Sequence, residues 1–434
     1  MKRGIYKQLL EWKNSKDRKP LILNGARQVG KTYILRDFAE NEYQKVAYFS
    51  LDRDLRTASI FNTGGTVNDI LLSLSAISNV DITPNDTIII LDEIQDCPKA
   101  LETLKFFCED APDIHIAVAG SLLGLSLHEN ISYPVGKVDE MRLYPMTFLE
   151  FLDAMGKEKL SETLAEGNWN VINILHDEYV SLLRQYFYVG GMPAAVLDFT
   201  QGKGLQAVRQ TQQQILRDYR RDFSKHAPAK EVPRINMVWD SIPAQLAKEN
   251  KKFIYGAIKK SSRASDFELA IQWLIDAGLI YKVMRTKKPE MPLKFYEDMN
   301  AFKLFMLDVG LMGAMADTPA DDILVGNNIF SEYKGAFTEL YVLTQLKTLG
   351  IPIYYHSVDN STIEIDFVIQ YQSKIIPIEV KAEVNVKAKS LRTFISDNPS
   401  LKGVRYSMLP YKDQGWMVNI PLYAVLHGGS LNND

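Results

Sequence analysis

Leu21-Ile22-Leu23-Asn24-Gly25-Ala26-Arg27-Gln28-Val29-Gly30-Lys31-Thr32 decides how the N-terminal part of this chain is read. Its opening apolar run has the character of a buried parallel strand. Gly25 ends that run, a loop with the spacing G-x-x-x-x-G-K-T follows, and Tyr33-Ile34-Leu35-Arg36-Asp37-Phe38 reads as the helix it opens. Glycines let the backbone curl so that its N–H groups and the positive end of a helix point at one anion. In such a cradle Gly25, Ala26, Arg27, Gln28, Val29 and Gly30 surround the phosphates of a nucleotide. Lys31 stands against the β- and γ-phosphates, and the Thr32 hydroxyl ligates Mg²⁺. A turn that merely held a helix gives no reason for Lys and Thr to fall together at its end. ATP and Mg²⁺ are therefore the expected ligands.

Upstream, residues 5–13 read as a short amphipathic helix, and Pro20 leads into the strand. Downstream, residues 46–50 form a second strand candidate and residues 68–77 a helix. Thr87-Ile88-Ile89-Ile90-Leu91-Asp92-Glu93 then runs four apolar residues into two carboxylates, the form of a buried strand whose C-terminal end meets the nucleotide. Asp92 is expected to hold the Mg²⁺ ion and Glu93 to polarise the water that attacks the γ-phosphate. Ile114-His115-Ile116-Ala117-Val118-Ala119-Gly120-Ser121 is a further buried strand ending in a hydroxyl, and Ser121 is placed to sense the γ-phosphate or hold the water. Serine after glycine is also an ordinary helix cap.

At 434 residues the chain is expected to hold two to four domains, and its 46% apolar and 24% charged residues are those of a globular protein. A formal net charge of -3 excludes a uniformly basic nucleic-acid coat, so only a local patch could do that work. Cys97 and Cys108 form neither a metal-ligand pattern nor a disulfide framework, which points to a reducing interior. No apolar run is long enough to span a bilayer, and no signal-peptide core follows Met1-Lys2-Arg3-Gly4. The expected location is cytoplasmic, with no membrane partner.

Together, GARQVGKT (25–32), ILDEIQ (90–95), AVAGSLLGL (117–125), LYPMTFLEF (143–151) and Tyr188-Val189-Gly190-Gly191-Met192-Pro193 resemble the AAA+ ATPases of a prokaryotic family. That family carries a C-terminal domain of uncharacterised function with a restriction-endonuclease-like fold. The resemblance covers nearly the whole chain and implies ATP hydrolysis on a P-loop αβα sandwich. In the family a basic residue after a glycine, shortly before the L-x-P-x-x-x-x-E-F segment, is a candidate arginine finger. Here Gly136-Lys137 holds that place, and lysine lacks the planar fork of arginine. Arg142 lies close by.

Residues 171–187 show helical apolar spacing that ends at Gly190-Gly191-Met192-Pro193, and a second helix is expected over 205–223. Between 203 and 263 there are 14 Lys or Arg against 5 Asp or Glu, a local net of +9. Such a segment faces either nucleic-acid phosphates, with Lys251, Lys252, Lys259, Lys260 and Arg263 contributing, or solvent and acidic parts of the chain. Ser265-Asp266-Phe267-Glu268 has capping-box spacing, the helix it opens runs to Ala277, and a strand begins at Leu279. This arrangement resembles a winged helix, a module that contacts DNA in some proteins and serves as a lid in others. Asp308 receives no role.

A second constellation lies near the C-terminus. Glu339 sits on a predicted helix, Asp366 on a strand over 364–369, and Glu379 and Lys381 share one face of the next strand because side chains two apart point the same way. Asp366 and Glu379, with Glu339 offered from the helix, are expected to grip a hard divalent ion. Lys381 would orient or help deprotonate the attacking water. This is the E…D…E-x-K pattern of the PD-(D/E)xK nuclease fold. Lys387, Lys389 and Arg392 add positive charge on the following helix.

The expected architecture is α/β: a P-loop AAA+ αβα sandwich over residues 1–200, a helical and winged-helix segment over 201–290, a junction over 291–324, and a restriction-endonuclease-like domain over 325–434. The expected function is an ATPase that acts on or with DNA through segment 203–263 and the C-terminal domain. Its alternative is an ATP-driven switch or scaffold whose C-terminal domain binds a protein partner and cleaves nothing. Oligomerisation stays open.

Overall fold

The computed structural model describes residues 1–121, 132–248, 251–324, 331–359, 363–382 and 388–427, the side chains of 331–333 excepted. Residues 122–125 of AVAGSLLGL, and Lys387, lie outside these. The chain folds as two units, residues 2–144 with 276–279 and residues 145–275 with 280–434.

In the first unit five strands, β1 (Leu21–Asn24), β2 (Lys45–Ser50), β3 (Thr87–Asp92), β4 (His115–Ala119) and β5 (Asp139–Arg142), form a sheet in the order β2-β3-β4-β1-β5. Every pairing is parallel. Such a sheet is stable only when its faces are covered, and β3 and β4 are accordingly buried along their whole length. Phe49 from β2, with Phe61, Ile70, Leu74, Leu101, Leu104 and Phe107 from the helices around it, builds a core against β3 and β4. Register sets Leu23 beside Ala119, and Leu91 beside Val118. The loops leaving β1, β3 and β4 therefore emerge at one edge, which brings residues some 90 positions apart in sequence into one cradle.

The second unit is built on eight strands: β6 (Ile280–Thr286), β7 (Glu297–Met306), β8 (Ile353–Ser357), β9 (Glu364–Tyr371), β10 (Lys374–Val380), β11 (Gly403–Ser407), β12 (Lys412–Asp413) and β13 (Met417–Pro421). Their order is β12-β13-β11-β10-β9-β8-β6-β7. β6 and β7 form an antiparallel hairpin, and β6 pairs in parallel with β8. The hairpin that follows the helix Glu268–Asp276 is thus continuous with the C-terminal sheet, and the divisions expected at 290 and 324 fall inside one hydrogen-bonded structure. The helix Ser331–Lys347 precedes β8, and the helix Lys389–Asp397 lies between β10 and β11.

Two local expectations are corrected. The helix expected over 171–187 is two helices, Trp169–Ile174 and His176–Val189, broken at Leu175, whose ψ of 10° leaves the helical range. Apolar periodicity runs through the break, but Trp169 stacks on Tyr411 at 4.1 Å while His176 takes Tyr423 as its partner, so the two pieces follow different neighbours. The cap expected at Ser265 and Glu268 is displaced: the Arg263 N–H donates to Asp266 at 2.8 Å, and a single 3-10 turn precedes the helix Glu268–Asp276.

Candidate functional site

The P-loop's shape comes from three residues at positive φ: Gly25 at +154°, Gln28 at +66° and Gly30 at +96°. A Cβ at Gly25 would lie 2.4 Å from the Leu143 carbonyl oxygen, so the loop can pass there only as glycine. Val29 is fully buried, and its carbonyl accepts from the buried Arg3 guanidinium at 3.0 Å; the same guanidinium donates to the Tyr144 carbonyl at 2.6 Å. Gly30 passes directly into the helix Lys31–Glu42, whose first N–H groups face the loop.

Lys31 is buried. Its ammonium donates to the carbonyls of Gly25 at 2.9 Å and Ala26 at 2.8 Å, and to Ser121 Oγ at 3.2 Å. Burial lowers its pKa to about 8 against the opposing pull of Glu93 and Asp92. The Thr32 hydroxyl donates to Asp92 Oδ2 at 2.8 Å, and so does the Tyr48 phenol, also at 2.8 Å. Glu93 stands in the left-handed region at φ +53°, and its Oε2 accepts from Gln95 Nε2 at 2.7 Å.

Lys31, Thr32, Asp92, Glu93 and Ser121 thus meet as expected at the edge where β1, β3 and β4 end. The oxygen-only pair of Thr32 and Asp92 suits a hard ion such as Mg²⁺. Arg3, Tyr48 and Gln95 also belong to this site. Gln95 stood inside ILDEIQ and is the one of the three that the local pattern could have revealed; Tyr48 reaches Asp92 only because β2 pairs with β3. Lys137 is half-buried and ion-paired with Glu109 at 2.8 Å, and Arg142 is exposed at the end of β5.

In the second unit, the β9–β10 register pairs Phe367 with Ile378, and its continuation sets Asp366 opposite Glu379. The Val380 N–H donates to Asp366 Oδ2 at 2.7 Å. Lys381 pairs with Glu379 at 2.9 Å, as two-residue spacing predicts. Burial and then Glu339 push the Asp366 carboxyl well above the usual range. Burial alone would lower Lys381, but Glu379 raises it overall.

Two lysines that the motif does not contain enter the cluster. Lys303 on β7 is completely buried, ion-paired with Glu364, 3.9 Å from Glu339 Oε2, and 4.8 Å above the Tyr355 ring. Lys251 pairs with Glu339 Oε1. Lys251 therefore departs from the phosphate-contacting role expected of it: its ammonium is turned inward to a carboxylate. Two buried carboxylate oxygens, Glu339 Oε2 and Glu379 Oε2, have no hydrogen-bond partner among the described residues. Among the described residues, no group of three or more His, Cys, Asp or Glu side chains is placed to hold a metal ion.

The rest of segment 203–263 is largely committed to local partners. Arg220 pairs with Asp240, Arg221 with Asp218, Arg234 with Glu231 and Lys203 with Asp198. Lys259, Lys260 and Arg263 are exposed. Asp308, to which no chemistry was assigned, is a buried cap: it accepts from the N–H of Leu311 at 2.9 Å and of Gly191 at 2.6 Å, tying the helix Val309–Met315 to the Gly190-Gly191 turn.

Residues 17–152 match the sequence model of a family described as an AAA domain. Residues 180–322 and 334–423 match two domains of unknown function, DUF8612 and DUF4143. No curated protein matches the chain. Solved structures similar to it include the Aeropyrum pernix ORC1 protein in complex with DNA, at 13% identity and a TM-score of 0.30, covering 73% of this chain and 91% of that one. The Thermotoga maritima RuvB Holliday junction branch migration motor is similar at 12% identity and a TM-score of 0.31, covering 65% and 89%. Cdc6p from Pyrobaculum aerophilum is similar at 14% identity and a TM-score of 0.28, covering 75% and 96%. Superpositions this loose carry no weight for what the chain binds. Among the described residues no helix is long and apolar enough to cross a membrane.

Proposed function

We propose that this chain binds and hydrolyses ATP at the P-loop and uses the cycle to act on or with DNA through its second unit. The observation that carries the reading is the convergence of Lys31, Ser121, Thr32 and Asp92, with Glu93 one residue further on, at one edge of a parallel sheet. Gly25 to Gly30 wrap the phosphates, and Lys31 exchanges its loop carbonyls for the β- and γ-phosphate oxygens. Thr32 and Asp92 would hold Mg²⁺, which supplies charge neutralisation when bound. Glu93 orients and deprotonates the attacking water, and Ser121 reports on the γ-phosphate.

In the second unit, the helix Ser331–Lys347 followed by β8, β9, β10, the helix Lys389–Asp397 and β11 supports the restriction-endonuclease-like reading, with Glu339, Asp366 and Glu379 as the carboxylates of its motif. Exposed Lys259, Lys260 and Arg263 supply the phosphate contacts. A second reading, an ATP-driven switch or scaffold whose C-terminal domain binds a protein partner and cleaves nothing, draws support from the ion pairs that occupy the motif carboxylates, Lys251 on Glu339 and Lys381 on Glu379. A cleavage assay on single-stranded, double-stranded and branched DNA with Mg²⁺ or Mn²⁺, with and without ATP, separates the two. ATP-dependent binding without cleavage selects the switch, and loss of cleavage in Asp366→Asn selects the nuclease.

A further inference from the structure

Glu93 is held by a neighbour that the P-loop pattern does not include. Past Glu93 the chain makes a tight 3-10 turn, Ile94–Asp96, and enters the helix Pro98–Asp110. The turn is anchored at both ends: Ile94 and Cys97 are buried in the core against β3 and β4, the Asp96 N–H donates to the Glu93 carbonyl at 3.0 Å, and the Cys97 N–H donates to the Ile94 carbonyl at 3.1 Å. Glu93 itself, at φ +53°, donates its N–H to Asp92 Oδ1 at 3.1 Å. From this fixed frame the Gln95 side chain reaches back, and its Nε2 donates to Glu93 Oε2 at 2.7 Å.

The surroundings set the orientation of that amide. Nε2 also lies 3.4 Å from Asp96 Oδ2, so both neighbours are acceptors and the amino end must face them. Oε1 is thereby turned away, where it is buried and has no hydrogen-bond partner among the described residues. Leaving an amide oxygen in that condition costs about 1 to 3 kcal/mol. An apolar side chain of the same size would avoid the cost, so packing does not explain a glutamine here. What the glutamine supplies is a donor to Glu93. That carboxylate in turn acts on the buried Lys31 ammonium more strongly than Asp92 does, which places it toward the phosphate cradle.

We propose that Gln95 is a positioning residue for ATP hydrolysis: by occupying Oε2 of Glu93 it fixes the carboxylate so that Oε1 is left for the attacking water. The proposal rests on reading Glu93 as the residue that orients and deprotonates that water. A glutamate carboxylate otherwise turns about its side-chain bonds, and only some of its settings bring an oxygen within hydrogen-bond reach of a water in line with the γ-phosphate. Tethering one oxygen removes that freedom before ATP arrives, so the contact contributes to the rate and not to nucleotide affinity. Gln95 touches neither nucleotide nor water in this role and acts through Glu93.

The test is ATP hydrolysis by the full chain in wild type, Gln95→Met, Glu93→Gln and the double variant, measured in steady state and under single-turnover conditions that resolve the slow residual rate of Glu93→Gln. Binding of a fluorescent ATP analogue and melting temperatures are measured beside it. Methionine keeps the length of the side chain and removes the donor. Gln95→Met is expected to lower kcat by roughly tenfold to a hundredfold, with KM and analogue affinity within about twofold of wild type and the melting temperature not lowered. In the Glu93→Gln background the same change is expected to cost nothing further, because residues that act as one unit are not additive. An unchanged kcat in Gln95→Met, a loss that appears in KM, analogue affinity or melting temperature instead, or a further loss of equal size in the double variant overturns the proposal and leaves Gln95 a local contact of the turn. Undiminished hydrolysis in Glu93→Gln overturns the reading of Glu93 itself, and the proposal with it.

Discussion

The ammonium of Lys31 donates to the hydroxyl of Ser121 at 3.2 Å, across 90 positions of sequence. The P-loop lysine is thereby pre-aimed along the line joining the loop to the end of β4. Lys31→Ala is expected to weaken ATP binding strongly and abolish turnover. Glu93→Gln should keep binding and lower kcat by on the order of a hundredfold or more. Equilibrium binding of a fluorescent ATP analogue beside phosphate-release rates checks both, and unchanged affinity and rate in the two variants would remove the site assignment.

Tyr48 shares Asp92 Oδ2 with Thr32. Tyr48→Phe removes one neutral donor to a carboxylate, a loss of about 1 to 2 kcal/mol in holding Asp92 in place. The expected result is a several-fold rise in the Mg²⁺ concentration needed for half-maximal ATPase rate, with ATP affinity little changed. An unaltered Mg²⁺ dependence would show that Asp92 is positioned without the phenol.

Asp308 offers a pH test in the second unit. Burial raises its pKa to about 6, against the N–H donors of Gly191 and Leu311, which favour the ionised form. A carboxyl whose folded pKa lies above its unfolded value favours folding fully below pH 4 and loses that contribution as pH rises toward 6. The loss amounts to roughly 3 kcal/mol. In denaturant titrations at pH 4 to 7, Asp308→Asn should lack this downward step while being less stable at pH 4. A parallel pH dependence in both proteins would place the titration elsewhere.

Binding of duplex DNA is expected to weaken steeply between about 50 and 200 mM salt. Replacing Lys259, Lys260 or Arg263 by Ala should each reduce the salt slope by roughly one. Affinity independent of salt would reassign this exposed surface to solvent or to a protein partner.

The P-loop, the buried strands and the carboxylates at the end of β3 were legible because each depends on local spacing: a fixed loop motif, an apolar run, a strand end. Asp366, Glu379 and Lys381 were legible for the same reason, since period two and adjacency decide their face. What escaped depends on pairing between distant strands. Tyr48 meets Asp92 only after β2 and β3 align, and Lys303 reaches Glu364 only because the β6–β7 hairpin joins the C-terminal sheet. Lys251 was misjudged because a count of charges over residues 203–263 cannot distinguish an ammonium facing water from one facing a carboxylate. The break at Leu175 was hidden by an apolar rhythm that both flanking helices keep.

The position of Lys303 has a consequence for heredity as well as for folding. Two family boundaries, one ending at 322 and the other beginning at 334, invite the view that the segments were joined like beads and could be exchanged. A recombination event at that seam would carry off β6 and β7, leave β8 with a bare edge, and strand the buried Glu339 and the half-buried Glu364 without their lysine. Buried carboxylates left without a counter-ion are strongly destabilising. The two segments are therefore bound to be inherited together, and a lineage that lost one would be expected to have lost or rebuilt the other.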